Sequence, residues 1–301
     1  MSSKKTLKEL VERKQILAPC VWDCMSARIA QECGYEAILL SGGTFANATN
    51  GFPDIGIVTA DDVVRATDRV CSYSDLPCII DTDDAFGETS VHAYRTIKRL
   101  VRAGAMAFTL DDTTGIRGFE RWFMAMRNQE KKIEHPVVSR EVWLSKIKAA
   151  LDATAGTDCM CIARTEAKVE FGLEEAMERA NLARELGAPM TLIIGISTEE
   201  EAEIVSRNVP GWKMWPDIMS RNGKPDAELT NLAEQGFNLV TCHIFEKGAL
   251  NGMYEMGVRT LADGNTVFHD TTEMNMPYMD SRIMQWLEKE ARFNDLSELK
   301  R

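Results

Sequence analysis

The chain has 301 residues, 45% of them hydrophobic, and a formal net charge of −11 at pH 7. This length and apolar fraction suffice for a large core, and a single α/β barrel falls within the range. An acidic chain without a long basic run argues against nucleic acid as a partner, and an anionic substrate would need local positive charge from a metal ion or a buried arginine.

The first residues do not have the pattern of a signal peptide. The stretch Met1–Lys8 is charged and then amphipathic, and no apolar run approaches the ~20 residues that cross a bilayer. The sequence therefore predicts a cytoplasmic protein with no membrane partner. The eight cysteines form no Cys-x-x-Cys pair, so we expect reduced thiols rather than a disulfide framework. Four of them lie in apolar, strand-like runs: Cys78, Cys159, Cys161 and Cys242.

Eight apolar runs predict strands, and segments of helical period lie between them. The predicted strands are Leu17–Asp23, Ala37–Ser41, Cys78–Asp83, Met106–Asp111, Met160–Arg164, Thr191–Gly195, Lys213–Asp217 and Leu239–His243. The predicted helices are Ala60–Ser72, Thr89–Ala103, Arg140–Thr154, Leu173–Leu186, Thr198–Asn208, Asp226–Gln235 and Met279–Phe293. Glycines before several strands fit the left-handed position at a helix end: Gly34, Gly104, Gly187 and Gly236.

Eight near-equal βα units predict an α/β fold of the closed (β/α)8 TIM-barrel type, with a doubly wound open sheet as the alternative. We expect residues 1–260 to form the barrel and residues 261–301 to form a C-terminal helical extension. The extension is rich in methionine and aromatic residues, which favours packing on another surface such as a neighbouring subunit.

Acidic residues end two successive apolar runs, as Asp81-Thr82-Asp83 and as Asp111-Asp112. Residues two apart on a strand point to the same side, and two carboxylates there repel each other unless a cation lies between them. Hard oxygen ligands suit Mg²⁺ or Mn²⁺, so the pattern predicts a metal site at the barrel mouth. The alternative is that these carboxylates cap helices or meet solvent.

Three further groups follow predicted strands, where barrels place catalytic residues. The backbone N–H groups of Ser41–Gly43 can bind a carboxylate or an oxyanion, although a tight turn needs the same glycines. Arg164 can hold a substrate carboxylate, or it can form a structural ion pair with Glu166 or Asp83. His243 can move a proton or hold an oxyanion, or it can be a satisfied core residue.

Two loops are candidates for covering the mouth. The polar loop after the second predicted strand contains Asp54, together with Asn47 and Asn50. The segment Thr113–Pro136 follows the fourth predicted strand and is long enough to act as a lid.

In order and spacing, six stretches resemble the isocitrate lyase and phosphoenolpyruvate mutase superfamily across roughly residues 5 to 260. They are Met25–Ala30, Ser41–Gly43, Gly51–Ile57, Asp81–Gly87, Leu110–Asp112 and Ala163–Ala167. The resemblance implies a Mg²⁺-dependent (β/α)8 barrel that makes or breaks C–C or C–P bonds beside an α-keto or enolate carboxylate. It also implies a C-terminal helix exchanged between the subunits of a homodimer or homotetramer.

The same resemblance implies roles for individual residues. Asp81 and Asp83 match the metal-site aspartates, and Asp111 stands where the family usually has a glutamate. Arg164 matches the arginine near the substrate, and Asp54 matches the aspartate of the gating loop.

Departures from the family narrow the expected reaction. The segment Thr113–Trp122 lacks the catalytic cysteine of the isocitrate-type lyases and the lysine of the mutase-type enzymes. Gly195 replaces a glutamate of many lyases, and with His243 it resembles the oxaloacetate decarboxylase subgroup. We therefore expect cleavage of a small α-keto or 2-hydroxy dicarboxylate through a metal-bound enolate, foremost as an oxaloacetate decarboxylase. The alternatives are a 2-methylisocitrate or dimethylmalate lyase, phosphonopyruvate-type C–P chemistry, and a catalytically silent keto-acid-binding barrel.

Overall fold

The computed structural model describes residues 5–114, 137–221, 223–268 and 277–295. Eight parallel strands form a closed barrel in which each strand pairs with its sequence neighbours and the last pairs with the first. The predicted TIM barrel is therefore confirmed, and the open-sheet alternative is wrong. The strands, labelled in chain order, are β1 Ile16–Val21, β2 Ile38–Leu40, β3 Cys78–Asp81, β4 Ala107–Leu110, β5 Met160–Thr165, β6 Met190–Ile193, β7 Trp212–Trp215 and β8 Phe237–Cys242.

Helices connect the strands and surround the barrel. Several begin at a serine or threonine whose hydroxyl accepts a first-turn N–H, as Thr59 does from Asp62, a cap that contributes about 1 kcal/mol. The helices are Leu7–Arg13, Cys24–Glu32, Gly42–Asn50, Ala60–Tyr73, Ser90–Arg102, Arg140–Thr154, Ala167–Phe171, Leu173–Glu185, Glu199–Asn208, Leu229–Glu234, Ile244–Asp263 and Pro277–Asn294. A small antiparallel hairpin precedes the helix Leu229–Glu234, and its two strands, Ser220–Arg221 and Lys224–Pro225, have two residues each.

Most predicted strands were placed correctly but extended too far toward their carboxyl ends. The clearest case is the predicted strand Cys78–Asp83, which ends at Asp81 because Asp83 has a φ of 45°. The premise that Asp81 and Asp83 share one strand face is therefore wrong. A left-handed residue cannot continue a strand, and polar residues at these ends turn into loops.

The barrel interior is filled by side chains that alternate along the strands. Cys20, Leu39, Leu192 and Met214 belong to one buried cluster, which also contains Leu7 of the first helix. Two further clusters lie between the strands and the surrounding helices and contain large buried residues such as Phe108, Trp143 and Trp215. The interior is a packed core below the mouth, as expected for a barrel of eight strands.

The chain divides into two compact units, residues 1–248 and residues 249–301. In the second unit, the guanidinium of Arg259 lies 4.2 Å from the centre of the Phe268 ring. Several large apolar side chains of this unit are exposed: Leu250, Met253, Tyr254, Leu261, Trp286 and Phe293. The predicted extension from residue 261 and its exchange between subunits stay predictions.

Membrane-spanning helices and disulfides were not expected from the sequence. Among the helices within the described ranges, none combines the length and the apolar character needed to cross a membrane. All eight cysteines are free thiols, and the four predicted core cysteines are buried. Burial raises the pKa of Cys159 to about 12, so that thiol stays protonated at neutral pH.

Candidate active site at the barrel mouth

Strand alternation carries polar side chains to the inside of the barrel just above the apolar core. Residues two positions beyond the inward Ile79, Ala107 and Ile162 are Asp81, Thr109 and Arg164. A cavity of about 670 Å³ opens at this level. The residues around it include six predicted ones, Ser41, Gly43, Asp54, Asp81, Arg164 and His243. The structure thus brings together side chains from five separate parts of the chain.

Arg164 is the centre of the charged side of the cavity. Its Nη1 donates to Asp81 Oδ1 at 3.0 Å and its Nη2 donates to Glu166 Oε1 at 2.5 Å. Its Nε lies 3.9 Å from Asp111 Oδ2, which is too long for a hydrogen bond. Burial alone would lower the pKa of Arg164, but the carboxylates around it, Asp83 included, raise the pKa well above its ordinary value. The ion pair expected with Glu166 exists, and the second partner is Asp81.

Asp81 is fixed from three sides. Besides Arg164, the hydroxyl of Thr109 donates to Asp81 Oδ1 at 3.0 Å, and the backbone N–H of Gly42 donates to Asp81 Oδ2 at 3.3 Å. A Cβ on Gly42 would lie 3.3 Å from that same oxygen. The glycine therefore lets the backbone approach the carboxylate closely, and Asp81 is oriented before any ligand arrives.

The turn after β3 places Asp83 and connects it to Asp111. Asp83, Ala85 and Phe86 all have positive φ angles, a conformation that costs roughly 1–2 kcal/mol for each non-glycine residue. The carbonyl oxygen of Asp83 accepts from the N–H of Asp111 at 2.9 Å. The carboxylate of Asp111 accepts from the N–H and the hydroxyl of Thr113, at 3.1 and 2.6 Å. Backbone strain and hydrogen bonds together set where these two aspartates stand.

The chemistry of this donor set fits a divalent cation. The guanidinium of Arg164 interacts electrostatically with four carboxylates, those of Asp81, Asp83, Asp111 and Glu166. One positive charge cannot balance four negative ones, so this cluster of side chains carries excess negative charge. Among the described residues, no three His, Cys, Asp or Glu side chains converge as a complete ligand set. Mg²⁺ does not need such a set, because it commonly keeps several waters and binds one or two carboxylates. The metal roles assigned to Asp81, Asp83 and Asp111 stay predictions.

Ser41-Gly42-Gly43 opens a helix rather than forming an isolated turn. Ser41 is the N-cap of the helix Gly42–Asn50, and its Oγ accepts from the N–H of Thr44 at 3.3 Å. A Cβ on Gly43 would lie only 2.8 Å from Asp54 Oδ2. Asp54, on the loop after this helix, therefore lies against the helix N-terminus, where the first-turn N–H groups favour negative charge.

His243 follows β8 and connects two polar groups across the cavity. Its Nδ1 lies 3.0 Å from Asp217 Oδ2, and its Nε2 lies 3.3 Å from Ser41 Oγ. The carboxylate can only accept, so Nδ1 carries a proton. The hydrogen bond that His243 donates to Asp217 raises the pKa of His243 against the lowering effect of burial, and the charges of Asp217, Glu246 and Asp81 raise it further. His243 is therefore a hydrogen-bonded residue of the cavity wall and not a core histidine.

Sequence reasoning missed or misplaced other residues. Glu246, which accepts from the Thr44 hydroxyl at 3.1 Å, lines the cavity, and its position one helical turn after His243 was an available signal. Asp112 is buried and accepts from Arg179 Nη1 at 3.1 Å, so it serves an ion pair. Burial raises the pKa of Asp112 to about 6. Most of the predicted lid Thr113–Pro136 lies outside the described residues.

Comparison with known proteins identifies the family of this barrel. Residues 7–261 match the phosphoenolpyruvate phosphomutase family. The chain belongs to this family. It is therefore a member of the isocitrate lyase and phosphoenolpyruvate mutase superfamily, whose lyases and mutases act on small carboxylic acids, and the predicted recognition is confirmed.

Three relatives of this phosphomutase-family chain are named as lyases or decarboxylases. The 2,3-dimethylmalate lyase of Eubacterium barkeri is 28% identical over 244 residues, 79% of each chain. A crystal structure of 2,3-dimethylmalate lyase aligns with a TM-score of 0.79 at 25% identity, covering 95% of this chain and 96% of the other. The 2-methylisocitrate lyase of Aeropyrum pernix is 32% identical over 78% of this chain and 71% of its own. The oxaloacetate decarboxylase of Paraburkholderia xenovorans is 26% identical over 68% of this chain and 65% of its own. These names agree with the predicted enzyme class, a carbon–carbon lyase.

Proposed function

We propose that this protein is a decarboxylase of oxaloacetate or a closely related 2-oxo diacid. The observation that carries the proposal is the hydrogen-bonded chain from Asp217 through His243 to Ser41, which stands at the mouth beside Arg164. It offers a proton donor in a cavity whose lining also includes the carboxylates of Asp54, Asp81 and Glu246. Such a donor suits a reaction that builds negative charge on one oxygen and then needs one proton.

The substrate is oriented by its carboxylate next to the keto group. Gly42 and Gly43 open a helix, and helix N-termini bind carboxylates through their N–H groups and the helix dipole. Because the N–H of Gly42 already donates to Asp81, the N–H of Gly43 is the group proposed to bind the substrate carboxylate. The guanidinium of Arg164 lines the same cavity and adds a charge-assisted donor. Asp54, against Gly43, would move with its loop as substrate enters, which accounts for the gating role predicted for it.

Superfamily members are generally dependent on a divalent metal ion. In this chain the residues that would hold Mg²⁺ or Mn²⁺ are Asp81 directly, and Asp83 and Asp111 directly or through water. A bound cation supplies Lewis-acid polarisation of a keto oxygen.

The reaction needs no base to begin. The bond between the β-carbon and its carboxylate breaks, its electron pair enters the enolate, and CO₂ leaves. The imidazolium of His243 donates to the developing oxygen, and one preorganised donor of this kind contributes roughly 3–4 kcal/mol. Solvent then supplies one proton to the β-carbon to give the 2-oxo acid, while His243 keeps the proton of its hydrogen bond and is held in orientation by Asp217.

A second candidate is an aldol-type lyase acting on a 2-alkylmalate or methylisocitrate-like acid. It is favoured by an apolar wall of the cavity, formed by Leu192, Ile194 and Met214, against which an alkyl branch could pack. The 2,3-dimethylmalate lyase relative supports the same chemistry. This reaction also requires a base for the substrate hydroxyl, and a cysteine as acid is absent from Thr113–Trp122.

Product formation separates the candidates. Pyruvate release from oxaloacetate should depend on Mg²⁺, fall to the metal-catalysed background with EDTA, and be lost in Asp81→Ala. Release of pyruvate with propionate from 2,3-dimethylmalate, or of pyruvate with succinate from 2-methylisocitrate, without oxaloacetate turnover, would replace the decarboxylase proposal with the lyase. Absence of both reactions across a keto-acid panel would leave the silent keto-acid-binding barrel.

A further inference from the structure

A buried ion pair lies behind the strained turn after β3, and the proposed chemistry does not use it. Lys146, on the helix Arg140–Thr154, is 1% exposed, and Asp84 is 7% exposed. Lys146 Nζ donates to the backbone carbonyl of Asp84 at 2.9 Å and lies 3.3 Å from Asp84 Oδ2. A lysine this deeply buried is uncommon, and its charge requires a compensating function or partner.

The position of Asp84 within the turn makes this pair consequential. Asp84 stands between two residues with positive φ, Asp83 and Ala85, and its own Oδ1 accepts from the N–H of Phe86 at 2.9 Å. The N–H of Ala85 donates back to Thr82 O at 2.7 Å. In this geometry the Asp84 carbonyl points to the ammonium of Lys146, which supplies the donor that a buried carbonyl needs.

The turn sets the placement of two proposed metal residues. Asp83 lies inside it, and the Asp83 carbonyl accepts from the N–H of Asp111 on the next strand end. Displacing the turn would therefore move the Asp83 carboxylate and loosen the backbone of Asp111. The hydrogen bonds of Lys146 go to Asp84, so we expect its effect on the two carboxylates to pass through Asp84.

We propose that Lys146 and Asp84 are positioning residues that fix the Thr82–Gly87 turn in its strained conformation and thereby set the cation affinity of the mouth. The inference rests on the proposed metal site. The helix Arg140–Thr154 would thus act on the metal site through Lys146, although neither Lys146 nor Asp84 is proposed to bind the substrate or the cation. The buried pair replaces the hydrogen bonds that the turn cannot make to regular secondary structure.

The test measures Mn²⁺ binding by electron paramagnetic resonance on folded, full-length protein, without substrate. Lys146→Met should weaken Mn²⁺ affinity at least tenfold, and D84N, which keeps the carbonyl acceptor, about threefold. Lys148→Met removes an exposed lysine from the same helix and should change affinity less than twofold. Ile147 is a fully buried neighbour, and Ile147→Val leaves a small cavity there, so this variant controls for lost packing and should also leave affinity unchanged.

A second readout does not involve the metal. Amide hydrogen exchange at Ala85 and Phe86 should accelerate in K146M and stay unchanged in K148M. Wild-type Mn²⁺ affinity in folded K146M, or equal losses in K146M and I147V, would overturn this inference alone. Absence of Mn²⁺ binding by the unaltered protein would overturn the proposed metal site and this inference with it. If K146M does not fold, D84N and its exchange rates decide between the same outcomes.

Discussion

His243 Nδ1 lies 3.0 Å from Asp217 Oδ2, so the imidazole at the end of β8 is paired with a carboxylate that follows β7. The hydrogen bond raises the pKa of His243 above its ordinary value, with Glu246 and Asp81 adding to the effect. The charged form of the histidine therefore persists to higher pH than it would in water.

Asp217→Asn should move the high-pH limb of activity to lower pH. A proton donor with a raised pKa is active below that pKa and is lost as pH rises through it, so removing the carboxylate causes the loss to begin earlier. The pH dependence of kcat measures the direction of this shift. Asp68→Asn, at an exposed aspartate, is the control. An unmoved limb in D217N would show that His243 is not the titrating donor.

Asp81→Asn should abolish Mn²⁺ binding and lower kcat at least a hundredfold. The asparagine oxygen can still accept from Thr109 or Gly42, so the fold should survive, but the negative charge is lost. Calorimetric titration with Mn²⁺ and a thermal melt test the two halves of the prediction separately. Asp75→Asn, at an exposed site just before β3, should bind the ion normally. Tight Mn²⁺ binding by D81N would contradict the metal assignment.

Gly43→Ala should raise KM clearly while lowering the melting temperature only slightly. The added methyl would lie 2.8 Å from Asp54 Oδ2, so the loop that carries Asp54 must move away. Gly42→Ala offers an internal comparison, because its methyl would lie 3.3 Å from Asp81 Oδ2, a milder contact at a different carboxylate. Steady-state kinetics and thermal melts on both variants provide the measurement. Unchanged KM in G43A would mean that Asp54 takes no part in substrate entry.

Glu175→Gln should remove part of the stability gained above about pH 4.5. Hydrogen bonds from Arg140, then from Arg179, lower the pKa of Glu175 to about 2. A lowered carboxyl pKa stabilises the fold above the unfolded value of 4.5 and ceases to do so as pH falls toward 2. Because Glu175 keeps partial contact with solvent, which screens its ion pairs, we expect only about 1 kcal/mol at pH 7. Melting temperatures of E175Q and the wild type should converge as pH falls to 2.5.

The control for this prediction is Glu178→Gln. Glu178 makes a longer contact with Arg140, 3.5 Å, and is more exposed. Its variant should follow the wild type at every pH. An E175Q melting curve parallel to that of the wild type from pH 7 to pH 2.5 would contradict the assignment.

The fold was predictable because its signal is local. An apolar run marked every barrel strand, and the helix Arg140–Thr154 was predicted with its observed ends. Errors clustered at strand ends, where side-chain chemistry does not reveal the backbone angle. Asp83 is the example: its left-handed conformation depends on hydrogen bonds to Asp111 and on the surrounding turn, neither of which a one-dimensional pattern records.

The sequence predicted which residues lie at the site but not which residues they pair with. Strand-end position alone singled out Asp81, Arg164 and His243, because barrel topology sends those ends to one mouth. The partner of His243 is 26 residues away, and Lys146 is 62 residues from Asp84. Such pairings depend on the register between strands and helices, which is set by packing across the whole domain.

The ring of strands closes between β1 and β8, where Ile16 stands opposite Leu239. Gln15 Nε2 also donates to the Phe237 carbonyl at 2.9 Å, although the two residues are 222 positions apart. A nascent chain emerging from the ribosome therefore holds an incomplete sheet with two open edges until its last strand is synthesised. During that interval the first strand lacks its final neighbour, and exposed edges of this kind invite chaperone binding or association between chains.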